Sequence, residues 1–422
     1  MRHYCIWLFA CCLGGAGLAT GTVAMAQSGA ISVSGCRSAD ALAVMSADKL
    51  PALLGTPVNR IGLLSYREKQ LSPIRLQIDQ RDGDGRYLLD DKPEPGRQLP
   101  VLGPNDEIVF RLADRGTRYP ANTPNSGEGA LVEIEVIDAM GGPSGWVYAV
   151  LSSPVRGVSG NNHMTYETAA DRVESGIYKI GFSPQHPFII DSFQWRTPAG
   201  DWTPNLLDTM KIRHQGKMFG FISFRRTTRD YSSRLTRVKV GPLRVIRRTE
   251  NRVRIMWKLK TPTLYIDYIM MPDSFVMDTI VNIPFNLGLF FSDVETLTTV
   301  DWRNDPALPE QVIRSPYTTS SLRVDGQMSA EESRFNTING THLSVHSDYG
   351  SVSLGLDIPE DFSIQPWLYL RDRMDVVDPP ENQPGQFGNV GYRTTGWESI
   401  DTEVHHLKIT TCMAAAEAGS VR

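Results

Sequence analysis

Along most of the chain, apolar and polar residues alternate in short runs broken by Gly, Pro, Asn and Asp. Alternation with period two puts one set of side chains on a buried face and the next set on an open one, which is the pattern of a strand. Residues 75–78, 107–112, 131–137 and 146–151 fit it, and so do 178–182, 188–195, 218–225, 243–248, 252–260, 263–270 and 275–283. In the first half only residues 38–54 read as helix. Many short strands without helices between them predict a mostly β protein of two β-sandwich-like domains with antiparallel sheets, and exclude a parallel α/β sheet.

The segment Arg156-Gly157-Val158-Ser159-Gly160-Asn161-Asn162-His163 is polar, glycine-rich and poor in core formers. It divides an N-terminal β domain, 27–155, from a C-terminal β sandwich, 165–413, and leaves 414–422 as a loose tail. Ahead of both, Arg2 and His3 precede an apolar stretch, and Ala24-Met25-Ala26 has the form that signal peptidase cuts. Residues 1–26 therefore read as a cleavable signal peptide, which places the protein in the periplasm or outside the cell. A lipidated Cys36 is the rival, since Val33-Ser34-Gly35 precede it, but the apolar region ends too early for that. No later segment is long and apolar enough to span a bilayer.

Export changes two counts. Cys5, Cys11 and Cys12 leave with the signal, so Cys36 and Cys412 remain as an even pair in an oxidising compartment and predict a disulfide. Loss of Arg2 leaves 42 Lys and Arg against 47 Asp and Glu, a formal charge of −5, which together with the compartment argues against nucleic acid as a partner.

Residues 72–82 (Ser-Pro-Ile-Arg-Leu-Gln-Ile-Asp-Gln-Arg-Asp), then Pro104-Asn105-Asp106-Glu107 and Gly145-Trp146-Val147-Tyr148, resemble an uncharacterised family of secreted β-rich envelope proteins of Gram-negative bacteria. Its P-x-x-x-Q-I-D-x-R-D and N-D-E segments lie mainly within residues 56–150 here, and Val240-Gly241-Pro242-Leu243-Arg244-Val245-Ile246-Arg247-Arg248 is similar to a later strand of that family. The resemblance implies fold and compartment and carries no catalytic residue.

Three constellations offer chemistry. Asp79, Asp82, Asp84, Asp90 and Asp91 surround Gly83 and Gly85, so one loop brings several hard oxygen ligands within reach of a Ca²⁺ ion. The spacing is not that of an EF-hand, because Arg86 falls at the fifth position and Pro93 at the twelfth; a solvated turn accounts for the same residues. His342, Ser344, His346 and Asp348 share one face of a strand, but alternate residues there stand ~6.5–7 Å apart, too far for the two imidazoles to share an ion without a bulge. His405 and His406 point to opposite faces.

The third constellation is charge segregation. Residues 211–260 hold 16 Lys or Arg against two acids, Asp230 and Glu250, while the rest of the exported chain holds 26 bases and 45 acids. Alternation places Val253, Ile255, Trp257 and Leu259 inward and Arg252, Arg254, Lys258 and Lys260 outward, with Arg244, Arg247 and Arg248 on the preceding strand of a hairpin turning at Thr249-Glu250-Asn251. As a site, Arg244, Arg247, Arg248, Arg252, Arg254 and Lys258 suit a carboxylated or sulfated polysaccharide, or an acidic protein partner. As structure, the same bases pair with the acidic excess elsewhere.

No G-x-S-x-G elbow, H-E-x-x-H helix, C-x-x-C-H attachment or phosphate loop is present, so no catalytic residue is named and Ca²⁺ is the single cofactor considered. The expectation is an exported binding protein for an anionic glycan. A carbohydrate-active lyase or hydrolase on the C-terminal sandwich and a structural subunit of an envelope complex are the alternatives.

Overall fold

The computed structural model describes residues 26–33, 36, 40–89, 100–120, 131–138, 144–151, 162–256, 259–359, 362–376 and 386–416. The expected signal up to residue 25, most of the glycine-rich segment (152–161), Asp90, Asp91, Trp257 and Lys258 lie outside the described residues.

The protein is mostly β. Its first strands are β1 Ala26–Val33, β2 Leu42–Ser46, β3 Ile61–Arg67, β4 Gln70–Ile74, β5 Gln77–Asp79, β6 Glu107–Arg111, β7 Leu131–Asp138 and β8 Gly145–Leu151. They form a five-stranded sheet, β1-β7-β8-β3-β4, in which β1 lies parallel to β7, and a three-stranded antiparallel sheet, β2-β6-β5. Ala43 and Met45 of β2, Ile61 and Leu63 of β3, Ile108 and Phe110 of β6, Ile134 of β7, and Val147 and Ala149 of β8 bury their apolar faces against one another as one core.

The helix expected over 38–54 is not there. Leu42–Ser46 pairs with β6 as a strand, and two short 3₁₀ turns follow, Ala47–Lys49 and Pro51–Leu53. Pro51 has no amide hydrogen to continue a helix, and the tertiary pairing of residues 42–46 overrides their local propensity.

The second half begins with the antiparallel sheet β12-β11-β10-β9, built from β9 Thr165–Glu167, β10 Arg172–Glu174, β11 Tyr178–Phe182 and β12 Ile190–Trp195. The long strands follow: β13 Leu207–Met218, β14 Ile222–Arg226, β15 Tyr231–Val240, β16 Val245–Met256, β17 Leu259–Lys260, β18 Leu264–Met271, β19 Ser274–Asn282 and β20 Phe291–Trp302. Then come β21 Val312–Arg314, β22 Leu322–Arg323, the single α-helix among the described residues α1 Ala330–Phe335, β23 His342–Ser347, β24 Gly350–Asp357, β25 Gln365–Arg371, β26 Asn389–Thr395 and β27 Val404–Ala415. They make a five-stranded sheet, β14-β13-β20-β26-β25, and a large sheet running β15-β16-β18-β19-β27-β24-β23-β21-β22.

These two sheets share a core in which Met210, Ile212, Leu368 and Tyr392 of the first meet Val253, Ile266, Met277 and Ile409 of the second. No strand of the first half joins a sheet of the second among the described residues. No helix among them is long and apolar enough to cross a membrane.

Two local features differ from the sequence expectation. Thr249-Glu250-Asn251 is no turn but the middle of β16, which pairs on both sides with β15 and β18. Polar residues sit there because their groups are satisfied within the sheet: Asn251 Nδ2 donates to Thr249 Oγ1 at 2.9 Å, and Ser233 Oγ donates to Asn251 Oδ1 at 2.6 Å. The real turn into β16 is at 241–244, closed by Gly241 N donating to Arg244 O at 3.0 Å. Ala414 and Ala415, expected in the tail, belong to β27 and pair with Ser351 and Gly350.

Cys36 and Cys412 are joined as a disulfide across 376 residues, with their Cα atoms 5.2 Å apart. The bond ties the N-terminal part of the chain to the last strand of the sandwich.

Candidate functional site

The basic segment is where the sequence places a ligand, but its side chains are largely paired within the protein. Arg244 is 1% exposed; its Nε donates to Asp79 Oδ2 at 2.7 Å and its Nη2 donates to Glu107 Oε2 at 2.5 Å. Lys239 holds the other oxygen of Asp79 at 2.9 Å. Burial pushes the Asp79 carboxyl up, but Arg244 and Lys239 overcome it and hold the group below the usual carboxylate range. Gln77 completes the contact, its Oε1 accepting from the amides of Leu243 and Arg244 at 3.0 Å each. Arg81 and Tyr87 OH both reach Glu107 from the other side.

Thus Gln77, Asp79 and Glu107 dock the first half of the molecule onto Lys239 of β15 and the 241–244 turn that follows it, with Arg81 bracing Glu107. Arg247 is fully buried, paired with Asp171 and set 3.8 Å over the Phe182 ring. Arg248 makes a two-pronged contact to Asp267 at 2.6 and 2.7 Å. Arg254 pairs with Asp230 at 2.7 Å, and Arg252 Nε donates to Thr263 Oγ1 at 3.0 Å. The six-residue basic face is therefore not a free surface: Arg244 and Arg247 are interior, Arg248 is partnered, Arg252 and Arg254 are exposed, and Lys258 lies outside the described residues.

The acidic loop is also taken up internally. Asp82 accepts the amides of Asp84 and Arg86 and pairs with the Arg86 guanidinium, which also holds Asp84 at 2.8 Å. With Asp79 turned toward Arg244, the carboxylates of Asp79, Asp82 and Asp84 answer cationic side chains and do not converge on a Ca²⁺ ion; Asp90 lies outside the described residues. No group of three or more His, Cys, Asp or Glu positioned to hold a metal occurs among the described residues. On β23, His342 bonds Thr341 Oγ1 and His346 bonds Ser344 Oγ, while Leu343 and Val345 are buried on the opposite face.

Geometry brings forward a different place, the outer face of the five-stranded sheet. On β13 the inward residues are Ile212 and His214, and the alternate ones, Lys211, Arg213 and Gln215, face away from the core. Register aligns them with neighbours in rows: Lys211 with Thr299 and then Gly391 and Tyr369, Arg213 with Leu297, Arg393 and Trp367, Gln215 with Glu295. In the next row Asp301, Asn389 and Arg371 stand side by side.

An outer sheet face of this composition is ordinarily solvated, yet Lys211, Asp301 and Asn389 show no exposed surface and Thr299 almost none. Lys211 and Asp301 form a buried ion pair. Burial raises the Asp301 carboxyl and lowers the Lys211 ammonium, in each case against the pull of the partner, so both are driven toward their neutral forms. Asp301 Oδ1, Thr299 Oγ1 and both side-chain polar atoms of Asn389 have no hydrogen-bond partner among the described residues.

Beside this buried patch opens a polar pocket of about 420 Å³ lined by Arg213, Gln215, Arg225, Glu295, Leu297, Asn336, Tyr369 and Arg393. Asn336, just after α1, fixes the edge of the pocket by exchanging two hydrogen bonds with Leu370, at 2.9 and 2.7 Å. Trp367 lies next to it under the Arg393 guanidinium, 5.6 Å from the ring centre, and donates its Nε1–H to Thr395 Oγ1. None of these residues stood out in the sequence. Alternating Lys-Ile-Arg-His-Gln at 211–215 is a readable strand signal, but nothing in it separates a buried polar face from a solvated one.

No protein-family model matches the chain, and no curated protein matches it. Among solved structures it is similar to an alpha-mannosidase from Enterococcus faecalis V583, at 10% identity and a TM-score of 0.42, over 89% of this chain and 40% of that one. The chain thus spans less than half the length of that protein, and a likeness of this grade carries no argument about function.

Proposed function

We propose that the chain is an exported binding protein for an acidic glycan, with its site on the outer face of the sheet β14-β13-β20-β26-β25. The single observation that carries the reading is an open polar pocket lined by three guanidinium groups, beside the buried polar patch of Lys211, Thr299, Asp301 and Asn389. Those buried groups are closed to a guest, which meets the pocket lining instead, where Gln215 and Tyr369 offer polar groups to hydroxyls. Arg213, Arg225 and Arg393 outnumber the one acid of the pocket lining, Glu295, and suit carboxylate or sulfate groups on that guest. Tyr369 and Trp367 supply rings for a sugar face.

Titration of the purified chain with a polyuronate, a sulfated glycan and a neutral glucan tests it. The expected order puts both acidic polymers well above the neutral one, with Arg393→Ala and Trp367→Ala each weakening binding about tenfold. Equal affinity for all three polymers, or no effect of either substitution, contradicts the reading. A second reading, catalysis at the same place, is favoured by Glu295, the one carboxylate of the pocket lining, set among guanidinium groups that suit a developing anion. Release of new reducing or unsaturated ends from the bound polymer separates it from binding alone.

A further inference from the structure

The same sheet has a second, chemically opposite feature on its inner face. Between the two sheets of the sandwich lies an apolar cavity of about 230 Å³, walled by Ile212, Val253, Ile266, Met277 and Ile409 among others. That exceeds the roughly 150 Å³ of an engineered aliphatic cavity that stays dry and takes up benzene. Three polar groups of its wall are turned to one another: His214 bonds Thr296 Oγ1 through Nδ1 at 2.8 Å and Tyr231 OH through Nε2. Burial lowers the His214 imidazole to about 4, so it stays uncharged near neutral pH and the wall stays apolar.

The cavity opens at one end of the sandwich, where Phe224, Pro262, Pro284, Phe285 and Phe291 form its rim. Beyond the rim is an exposed aromatic tip. The β13–β14 hairpin presents Phe219 and Phe221, and the loop before β20 presents Phe285, Leu289 and Phe290; Phe221 is 76% and Leu289 72% exposed. The two loops are one surface: Phe219 N donates to Phe290 O at 2.8 Å, and the Phe219–Phe290 and Phe285–Phe290 ring centres are 6.2 and 5.6 Å apart. Phe219 holds the left-handed backbone (φ 53°), a conformation that disfavours a side chain and that glycine adopts freely, so the hairpin keeps an aromatic there against its own stability.

Charge at this end fits an anionic surface. Arg226 lines the cavity, its guanidinium held by Ile255 O; Arg252 bonds Thr263, another lining residue; Arg229 is exposed nearby in sequence. The acids of these loops are taken up locally, Asp230 by Arg254, Asp293 by Lys217 and Glu398 by the amide of Val294. Single exposed apolar residues are ordinary, but five together at the mouth of an apolar cavity are not. We propose that this end docks on an anionic lipid bilayer through the Phe219, Phe221 and Leu289 tip, and that the cavity takes up one acyl chain of such a lipid, with the headgroup at Arg226 and Arg252. The inference is independent of the glycan reading, which rests on the opposite face of the sheet.

The test uses the full exported chain with vesicles of phosphatidylcholine, with and without phosphatidylglycerol, and the fluorescent fatty acid cis-parinaric acid. Sedimentation with the phosphatidylglycerol vesicles is expected to exceed that with phosphatidylcholine alone, and the Phe221→Asp/Leu289→Asp double variant is expected to lose it about tenfold or more, because an aspartate resists insertion among lipid chains. That variant should still take up cis-parinaric acid from solution. Met277→Trp, or Val281→Trp at the more open end should the first not fold, fills the cavity and should abolish uptake while vesicle binding persists. Absence of uptake by the unaltered chain, uptake that survives a folded cavity-filling variant, or sedimentation indifferent to both phosphatidylglycerol and the tip substitutions would overturn the proposal.

Discussion

Arg244 shows how much one side chain is asked to do. It enters a site with almost no exposed surface, meets two carboxylates from the other half of the chain, and lies 5.4 Å over the Tyr87 ring. Removing it takes charged hydrogen bonds from two buried carboxylates and leaves Asp79 to Lys239 and Glu107 to Arg81 and Tyr87, so Arg244→Met should destabilise the protein by about 1.5–3 kcal/mol in urea unfolding. Adding Asp79→Leu should restore part of that loss, and a double variant as unstable as the sum of the singles would show that the two do not act together. His406 ties stability to pH. It bonds Asp278 through Nδ1 at 2.9 Å and Asp84 O through Nε2 at 3.0 Å. Both partners are acceptors, so both ring nitrogens must carry a proton, and the imidazole is raised chiefly by its bond to Asp278, with burial opposing. A group raised on folding stabilises the folded state fully below its unfolded value of 6.5 and loses that contribution as pH climbs through the folded one. The urea midpoint should therefore fall above about pH 6.5, and His406→Gln should flatten that fall. An unchanged slope in the variant assigns the titration elsewhere.

Among the elements, what could be read from the sequence was the alternation, and what could not was the partner. Residues 107–111, 178–182 and 264–271 are strands where the apolar period two puts them. Thr249-Glu250-Asn251 misled because turn formers also sit inside a strand when neighbouring strands satisfy their side chains, as Ser233 does for Asn251. The basic segment misled for a reason of distance: Arg244 stands 165 positions from Asp79, and a charge count along the chain has no access to that pairing. The buried polar face on β13, β20 and β26 was hidden for the same reason, since alternation gives the face of a residue and not what covers it. The docking turn leaves no room for a side chain. A Cβ on Gly241 would stand 2.2 Å from Gln77 Oε1, and Gln77 is held by the amides of Leu243 and Arg244. Gly241→Ala should thus cost about 1–3 kcal/mol by forcing that side chain out of its contacts. A change of only a few tenths on urea unfolding would mean that Gln77 yields freely.

For the whole molecule, the ties that join the halves include the polar contact of Gln77, Asp79 and Glu107 with Lys239 and Arg244, the apolar packing of Tyr87 and Leu89 on Ile246 and Ile269 and of Leu42 and Val109 on Leu243, the His406–Asp84 bond, and the Cys36–Cys412 disulfide. A bridge closing so long a loop restricts the unfolded chain strongly, and reduction or Cys412→Ala should lower stability by about 2–5 kcal/mol. Thiol labelling of the oxidised protein that modifies both cysteines without reductant would remove that expectation. The proposed function turns on where an acidic glycan sits, because charge along the sequence favours the strand that carries Arg244, Arg247 and Arg248, whereas the folded chain favours the outer face of the five-stranded sheet. Hydrogen–deuterium exchange of the intact chain, with and without a polyuronate oligomer, decides between the two places. Slowed exchange is expected in 211–215, 295–301, 367–371 and 389–395, with 244–254 unchanged; protection confined to 244–254 would contradict the proposed site.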